Sequence, residues 1–384
     1  MIKSTKKIDF DIVIIGAGLS GLSLAIEIIK RTKFTVLLLE KKRKLQKEKN
    51  WFLRNYPKNI FTTKYDNSWK NIKISANREE IIKSDEYFKY LRLSSDRFYN
   101  LSIKILKNNN NFKVKLNSKI KKISEKKGFV NILVNDETVT CKMLFNSIPR
   151  PIVSNELKQH FLGLEVTSNK KVFNDKEVTL MDFQENNKLI HFFYVLPFSK
   201  NKALIESTYF SKTVYNEKKY IRDIKLYLSE KYPDCYFNFG FKEKGVLPMY
   251  SNKEKSLSNL IIPIGQTSNW IKISTGYCFQ NAFEKSYQIV NKLINNSKIS
   301  TKQRFINKFL DEIFCEFLSR YPGSAQNFFY NFFKYLNIKT IVFFLTEKQN
   351  FWDILKILKV LPKKELIIST FFLFLKKINY ASRY

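Results

Sequence analysis

The residues of this chain whose types and spacing can do chemistry begin ten positions from its start. Gly16-Ala17-Gly18-Leu19-Ser20-Gly21 follows an apolar run, Ile12 to Ile15, and opens a stretch, Leu19 to Ile29, with helical apolar spacing. In a G-x-G-x-x-G at a strand-to-helix turn, the first glycine makes the tight turn and the second lets backbone approach a pyrophosphate. The third lets helix and strand pack closely. A second apolar run, Val36 to Leu39, ends at Glu40, placed to bind a ribose 2′-hydroxyl and to repel a 2′-phosphate. The chain is expected to bind an adenine dinucleotide through Gly16, Ala17, Gly18, Leu19, Ser20, Gly21 and Glu40.

Other chemistries have little material. His160 and His191 are the two histidines, too few for a His-based metal site or a Ser-His-Asp triad, and both read as structural. Cys141, Cys235, Cys278 and Cys315 lie far apart without a CxxC, which fits reduced thiols in a cytoplasmic protein. The formal net charge of +34 has no nucleic-acid-binding signature beside it, and the lysines are spread along the whole chain. Two readings stay open: a Lys- and Asn-rich composition, or attraction to an anionic lipid surface, about 1 kcal/mol per juxtamembrane cation.

At 384 residues the chain exceeds what one hydrophobic core usually serves. Residues 1–150 read as the first segment of a Rossmann-like part, with Tyr90 to Leu93 a strand and Ser94 or Ser95 capping a helix. Residues 151–250 change to long alternating strands (Val178 to Phe183, Leu189 to Leu196, Ala203 to Phe210), with a helix over 216–231. Residues 251–298 return to a buried strand ending at Gly265 and a helix starting at Thr275-Gly276. Residues 299–384 read as helical, with no apolar run of the ~18 residues that a spanning helix needs. Leu366 to Leu375, flanked by lysine pairs, is either a helix lying in a headgroup region or an ordinary core helix. The fold class is therefore α/β: a Rossmann-like dinucleotide-binding domain (an FAD-binding one by the resemblance described next), an inserted antiparallel β-sheet substrate domain and a helical C-terminal region.

Taken in order, the segments resemble the flavin-dependent lycopene cyclases, in the bacterial β-cyclase form, over nearly the whole chain. The resemblance is carried by Trp51-Phe52, Tyr90 to Phe98, Phe161-Leu162-Gly163, Leu180-Met181-Asp182-Phe183, and Leu196-Pro197-Phe198 with Leu204-Ile205-Glu206-Ser207-Thr208. Gly245-Val246-Leu247-Pro248, Gly265, Thr275-Gly276-Tyr277 and Phe343-Phe344-Leu345 complete the order. Two departures stand out. Asn146-Ser147 replaces an Asp-x-Arg/Gly pattern beside the flavin, and Ser207 occupies the second acidic position of the Glu206 motif.

The resemblance implies cyclisation of lycopene ψ-ends to β-ionone rings, giving γ-carotene and then β-carotene without net redox change. It implies reduced FAD as cofactor, with NAD(P)H as electron donor, and Gly265, Thr275 and Gly276 beside the flavin. Protonating an alkene needs a strong acid where water cannot compete, and a carboxylic acid in an apolar pocket keeps its proton near neutrality. Glu206 is the candidate acid, its alternative being a solvent-facing strand position. Asp182 is expected to assist, by polarising Glu206 or the flavin or in the last deprotonation. Arg97 either touches the FAD phosphates or is a surface arginine. Phe183, Phe192, Phe193, Tyr194 and Phe198 either stabilise cations or form sheet core. The substrate is dissolved in bilayers, so a protein peripheral to the inner face of the membrane is expected. The rival readings are an FAD-dependent isoprenoid oxidoreductase, geranylgeranyl-reductase-like or hydroxylase-like, and a non-catalytic flavin- or lipid-binding protein.

Overall fold

A computed structural model describes residues 8–184, 189–251, 258–300 and 303–381. Phe10–Ile15 and Val36–Leu39 are apolar on both faces, which suits central parallel strands. They pair in register from Ile12↔Val36 to Ile15↔Leu39, with the helix Leu19–Arg31 as crossover. Phe112–Lys115 flanks Val36–Leu39, and Glu137–Asn146 flanks Phe10–Ile15 on the other side. Glu137–Asn146 has two further partners. Its first half pairs antiparallel with Phe129–Val134, and its second half pairs parallel with the returning strand Ile261–Pro263.

One face of this sheet packs Ile12, Ile14, Val36 and Leu38 against Leu22, Ala25, Phe98, Phe279 and Val290 of the surrounding helices. The other packs Val13, Ile15, Leu37 and Leu39 against Val130, Ile132 and Val134. The last of these helices, Phe279–Ile294, begins later than its sequence suggests. Gly276 has φ +71°, so Thr275-Gly276 forms a turn closed by Gly276 N–H donating to the Lys272 carbonyl.

A second sheet has seven strands in the order Phe237–Pro248, Lys158–Ser168, Lys202–Ser211, Ile190–Ser199, Glu177–Phe183, Asn71–Ala76, Glu79–Ser84. All pairs are antiparallel except Glu177–Phe183 with Asn71–Ala76. The hairpin Asn71–Ser84 thus comes to this sheet from the first segment of the chain. The helix Glu217–Lys231 covers one face through Ile224, Tyr227 and Leu228. The other face carries Phe183, Phe192 and Phe210 against Phe314, Phe328 and Phe329, and Leu180, Leu196 and Leu204 against Phe332, Phe333 and Ile341. A small third sheet, Asn50–Arg54, Tyr90–Ser94 and Asn67–Trp69, brackets the hairpin Asn71–Ser84 in sequence.

Among the described residues, the C-terminal region holds five α-helices: Phe305–Arg320, Ala325–Tyr335, Ile338–Leu345, Phe351–Val360 and Lys363–Ala381. Among the described residues, no helix is long and apolar enough to cross a membrane. Leu366 to Leu375 lies in the last of these helices. Its helix packs on Phe305–Arg320 while Ile367, Phe371, Phe374 and Ile378 stay exposed. A fully buried ion pair joins this region to the rest: Lys272 Nζ donates to Asp311 Oδ1 at 2.6 Å, and Ser274 Oγ donates to the same oxygen at 2.7 Å. Removing one partner of such a pair strands the other charge, at a cost of about 3–5 kcal/mol, whereas an apolar pair of similar volume is often neutral. Lys272→Met is expected to lower unfolding free energy by that amount in urea titration, and Lys272→Met/Asp311→Leu to recover most of it.

Candidate functional site

The turn after the first strand has the backbone that its glycines permit. Gly16 has φ +96°, and a Cβ there would lie 2.2 Å from Ser147 Oγ. A Cβ on Gly21 would lie 1.9 Å from the Gly16 carbonyl oxygen, so helix and strand touch through backbone. A Cβ on Gly18 would meet nothing within 4 Å. Gly18 is the residue that opens onto a cavity, and the helix it begins has no side-chain cap and no acidic residue in its first turn. Its N-terminal dipole is therefore available to an anion. Glu40 braces the turn: its carboxylate accepts from Ala17 N–H at 2.7 Å and from Lys42 N–H at 3.0 Å.

The cavity, ≈ 420 Å³, is lined by Gly18, Leu19 and Ser20 at one end, by Gly265, Thr275 and Gly276 along one side, and by Glu206 and Glu243. Six of the expected cofactor residues and the expected acid thus share one space. Three buried polar atoms without hydrogen-bond partners, Trp51 Nε1, Trp270 Nε1 and Gln159 Oε1, belong to residues of the same wall. Two donors and an acceptor left open suit a flat heterocycle with both kinds of group on its edge. Among the described residues no cluster could hold a metal ion.

Glu206 stands on the strand Lys202–Ser211, whose side chains alternate between the two faces. Leu204 and Phe210 point to the C-terminal helices, and Ile205 and Tyr209 to the helix Glu217–Lys231. Glu206 shares the first face. It is 6% exposed and accepts from Thr208 Oγ1 at 2.8 Å. Burial, with the charge of Glu243 adding to it, raises its pKa from the ordinary 4.5 to about 8, so it holds its proton at neutral pH.

Other expected residues fall elsewhere. Asp182 faces the opposite side of the sheet, accepting from Tyr227 Oη at 2.7 Å with Lys231 Nζ at 3.2 Å; the structure does not bring it to Glu206. Ser207 also faces that side and contacts His191 Nε2 at 3.0 Å, so the departure at this position leaves the cavity unchanged. His160, against Tyr220 and Ser211 Oγ, is likewise part of that packing, and burial lowers both histidines to about 4. Arg97 pairs with Asp66 at 3.2 Å and is not among the cavity's walls. The Asn146 side chain accepts from Ile148 N–H at 3.0 Å, closing its own turn.

A second cavity, ≈ 440 Å³, adjoins the first and shares Tyr90, Tyr194, Thr275 and Tyr277 with it. Its walls are mostly apolar, Leu180, Met181 and Phe210 from the sheet and Phe314, Phe328, Phe329, Phe332, Phe333 and Phe344 from the helices, with the buried Arg54 among them. It extends to Lys363, Leu366, Ile367 and Thr370 on the last helix. Sequence reasoning found none of the helix contributions, because a Phe-rich helix reads the same whether it fills a core or lines a chamber.

Gly18 separates folding from binding. Gly18→Leu is expected to leave the melting temperature of the cofactor-free chain unchanged, since the new side chain enters open space. It should weaken FAD binding by at least about tenfold, some 1.4 kcal/mol, in a flavin-fluorescence titration.

No curated protein matches the chain in sequence. Among solved structures it is similar to a geranylgeranyl bacteriochlorophyll reductase-like protein from Thermoplasma acidophilum, at 14% identity and TM-score 0.66, covering 91% of this chain and 95% of that one. A flavoprotein/dehydrogenase from Cytophaga hutchinsonii gives 12% and 0.60, with 88% and 92% covered. The flavin-dependent brominase Bmp2 gives 13% and 0.59, with 97% and 99% covered. At such identities the likeness is one of fold, the α/β fold of FAD-dependent oxidoreductases and halogenases. Residues 11–363 match the family described as lycopene cyclase protein, and the chain belongs to the lycopene cyclase family.

Proposed function

We propose that this chain is a lycopene β-cyclase that uses Glu206 as general acid. The observation that carries the reading is the position of Glu206, buried in the wall of a dinucleotide-type cavity beside Tyr90 and Tyr194, which that cavity shares with an apolar chamber. The glycine turn fits a bound FAD: Gly18 leaves room for the pyrophosphate, the bare helix N-terminus favours its charge, and Trp51, Trp270 and Gln159 have edge contacts to offer. When bound and reduced by NAD(P)H, the flavin supplies negative charge beside a developing cation.

The chain's own groups do the rest. The aromatic chamber takes the hydrocarbon end and excludes water, which would otherwise capture a cation. Glu206, protonated at neutral pH, hands its proton to the terminal alkene carbon, and the neighbouring alkene closes the ring on the tertiary centre. Tyr90 and Tyr194, both close enough for the Glu206 charge to act on their hydroxyls, present electron-rich walls, and cation–ring contacts of this kind contribute about 1–2 kcal/mol when desolvated. The same steps at the second end convert γ-carotene to β-carotene.

The chamber ends at the helix Lys363–Ala381, whose outer side exposes Ile367, Phe371, Phe374 and Ile378. Together with Phe351 and Trp352, also exposed, and the charge of +34, this supports peripheral attachment to an anionic membrane face from the cytoplasmic side. The substrate would then enter from lipid.

Incubated with lycopene, FAD and a reductant, the protein is expected to yield γ- and β-carotene, read by absorbance and chromatography. Hydrogenated or hydroxylated products would overturn the cyclase reading. Glu206→Gln should lower turnover by about 10²–10⁴-fold while flavin binding persists. Only the protonated acid donates, so turnover should fall, roughly tenfold per unit, as pH rises past about 8. In vesicle flotation, Phe371→Ser and Phe374→Ser should each weaken binding to anionic lipid by about tenfold, the scale of one buried ring.

A further inference from the structure

Glu243 is a buried acid that no sequence motif pointed to. It stands in the strand Phe237–Pro248, and Glu206 stands in Lys202–Ser211; the strand Lys158–Ser168 runs between them. Gly163 of that middle strand pairs with Glu206 on one side and with Glu243 on the other. The three residues form one row across the sheet, with both acids on the cavity side. Because the middle residue has no side chain, the side chains of both acids approach the space above it, with Leu204 beside them. A Cβ at Gly163 would lie 3.0 Å from Leu204 Cδ1, 3.3 Å from Glu243 Cγ and 3.6 Å from Glu206 Cβ.

The two acids are held differently. Glu243 Oε2 accepts from Asn50 N–H at 2.7 Å and from Asn50 Nδ2 at 2.9 Å, and Arg92 Nε donates to Asn50 Oδ1 at 2.7 Å, fixing the amide. Two N–H donors and a guanidinium behind them favour a carboxylate. Glu206 has a single hydroxyl contact, from Thr208, and no cation beside it. Around the pair, Arg92 and Glu165 act on Glu243, while Tyr90 and Tyr194 lie beside Glu206. Lys42, Lys49 and Lys244 line the same cavity. Burial raises Glu243 to about 7, opposed by the Asn50 hydrogen bonds and the Arg92 charge.

We propose that Glu206 and Glu243 form an acid–base pair across Gly163, with Glu243 taking up the proton that the new ring releases. The inference rests on the cyclisation reading and deepens it. Glu206 gives a proton to the terminal alkene carbon, whose π electrons form the C–H bond and leave a tertiary cation. The second alkene closes the ring and moves the cation into it. A ring C–H bond then breaks, its electrons become the ring double bond, and its proton goes to Glu243. The substrate gains and loses one proton, so the reaction is an isomerisation. The proton then returns from Glu243, whose anion the two Asn50 donors favour, to Glu206, which has no N–H donor of its own. Which C–H bond breaks is set by where the base stands, so Glu243 also selects the ring isomer.

Glu243→Gln keeps the size and the Asn50 contact but not the base. Turnover is expected to drop about 10²-fold and the product to become a mixture of ring double-bond isomers. The wild-type profile should fall below about pH 7 as Glu243 protonates, and that limb should vanish in the variant. A merely structural role would move neither product ratio nor limb, so a variant that keeps both overturns the proposal. Infrared titration of protonated carboxyl bands in the substrate-free protein reads the pair independently of lycopene. In Glu243→Gln the Glu206 midpoint should fall, because a like charge is gone, and an unmoved midpoint also overturns it. Failure of the wild type on lycopene, with the midpoint shifted, would remove the substrate reading alone.

Discussion

Two buried carboxyl groups on either side of a residue without a side chain set the terms for the rest of this protein. Burying one ionised carboxylate without a partner is costly, and burying two together is worse. The surroundings resolve this by treating them unequally: Asn50 and Arg92 gather behind Glu243, while Glu206 is left with Thr208 and two tyrosines. That asymmetry needs the small sheet containing Asn50 and Arg92 to lie against the edge of the seven-stranded sheet. The antiparallel register that aligns residues 206, 163 and 243 is the other requirement.

What the sequence showed depended on how local the cause was. The turn at Gly16 to Gly21 was legible because its glycines answer to backbone geometry a few residues away. The strands beside it were legible because both their faces are apolar. Glu206 and Asp182 look alike in sequence, each an acid inside an apolar strand, yet they face opposite sides of the sheet. A register irregularity in the strand Glu177–Phe183 obscures that alternation. Glu243 was missed for a different reason. Lys242-Glu243-Lys244 reads as a solvated charged stretch, and its lysines do reach out to Glu217. Only the tertiary approach of Asn50 buries the residue between them. Arg97 answered to Asp66, a partner that no spacing announces.

The aromatic wealth of the chain, 35 Phe and 20 Tyr, also divides in two. Phe98, Phe279 and Phe283 close the core of the nucleotide-type sheet with Phe61. Phe314, Phe328, Phe332 and Phe344 instead border empty space. The second group comes from helices packed against a sheet face, where flat rings fill the gap incompletely. The resulting chamber exists because two rigid layers are held apart by bulky side chains on each.

The Lys272–Asp311 pair has a consequence for how the molecule comes into being. The loop with Lys272 leaves the ribosome before the helix that supplies Asp311, and a lone ammonium cannot be buried meanwhile. The Lys272 ammonium is therefore buried only when the helical layer is docked. Sealing this seam is thus coupled to arrival of the chamber's roof.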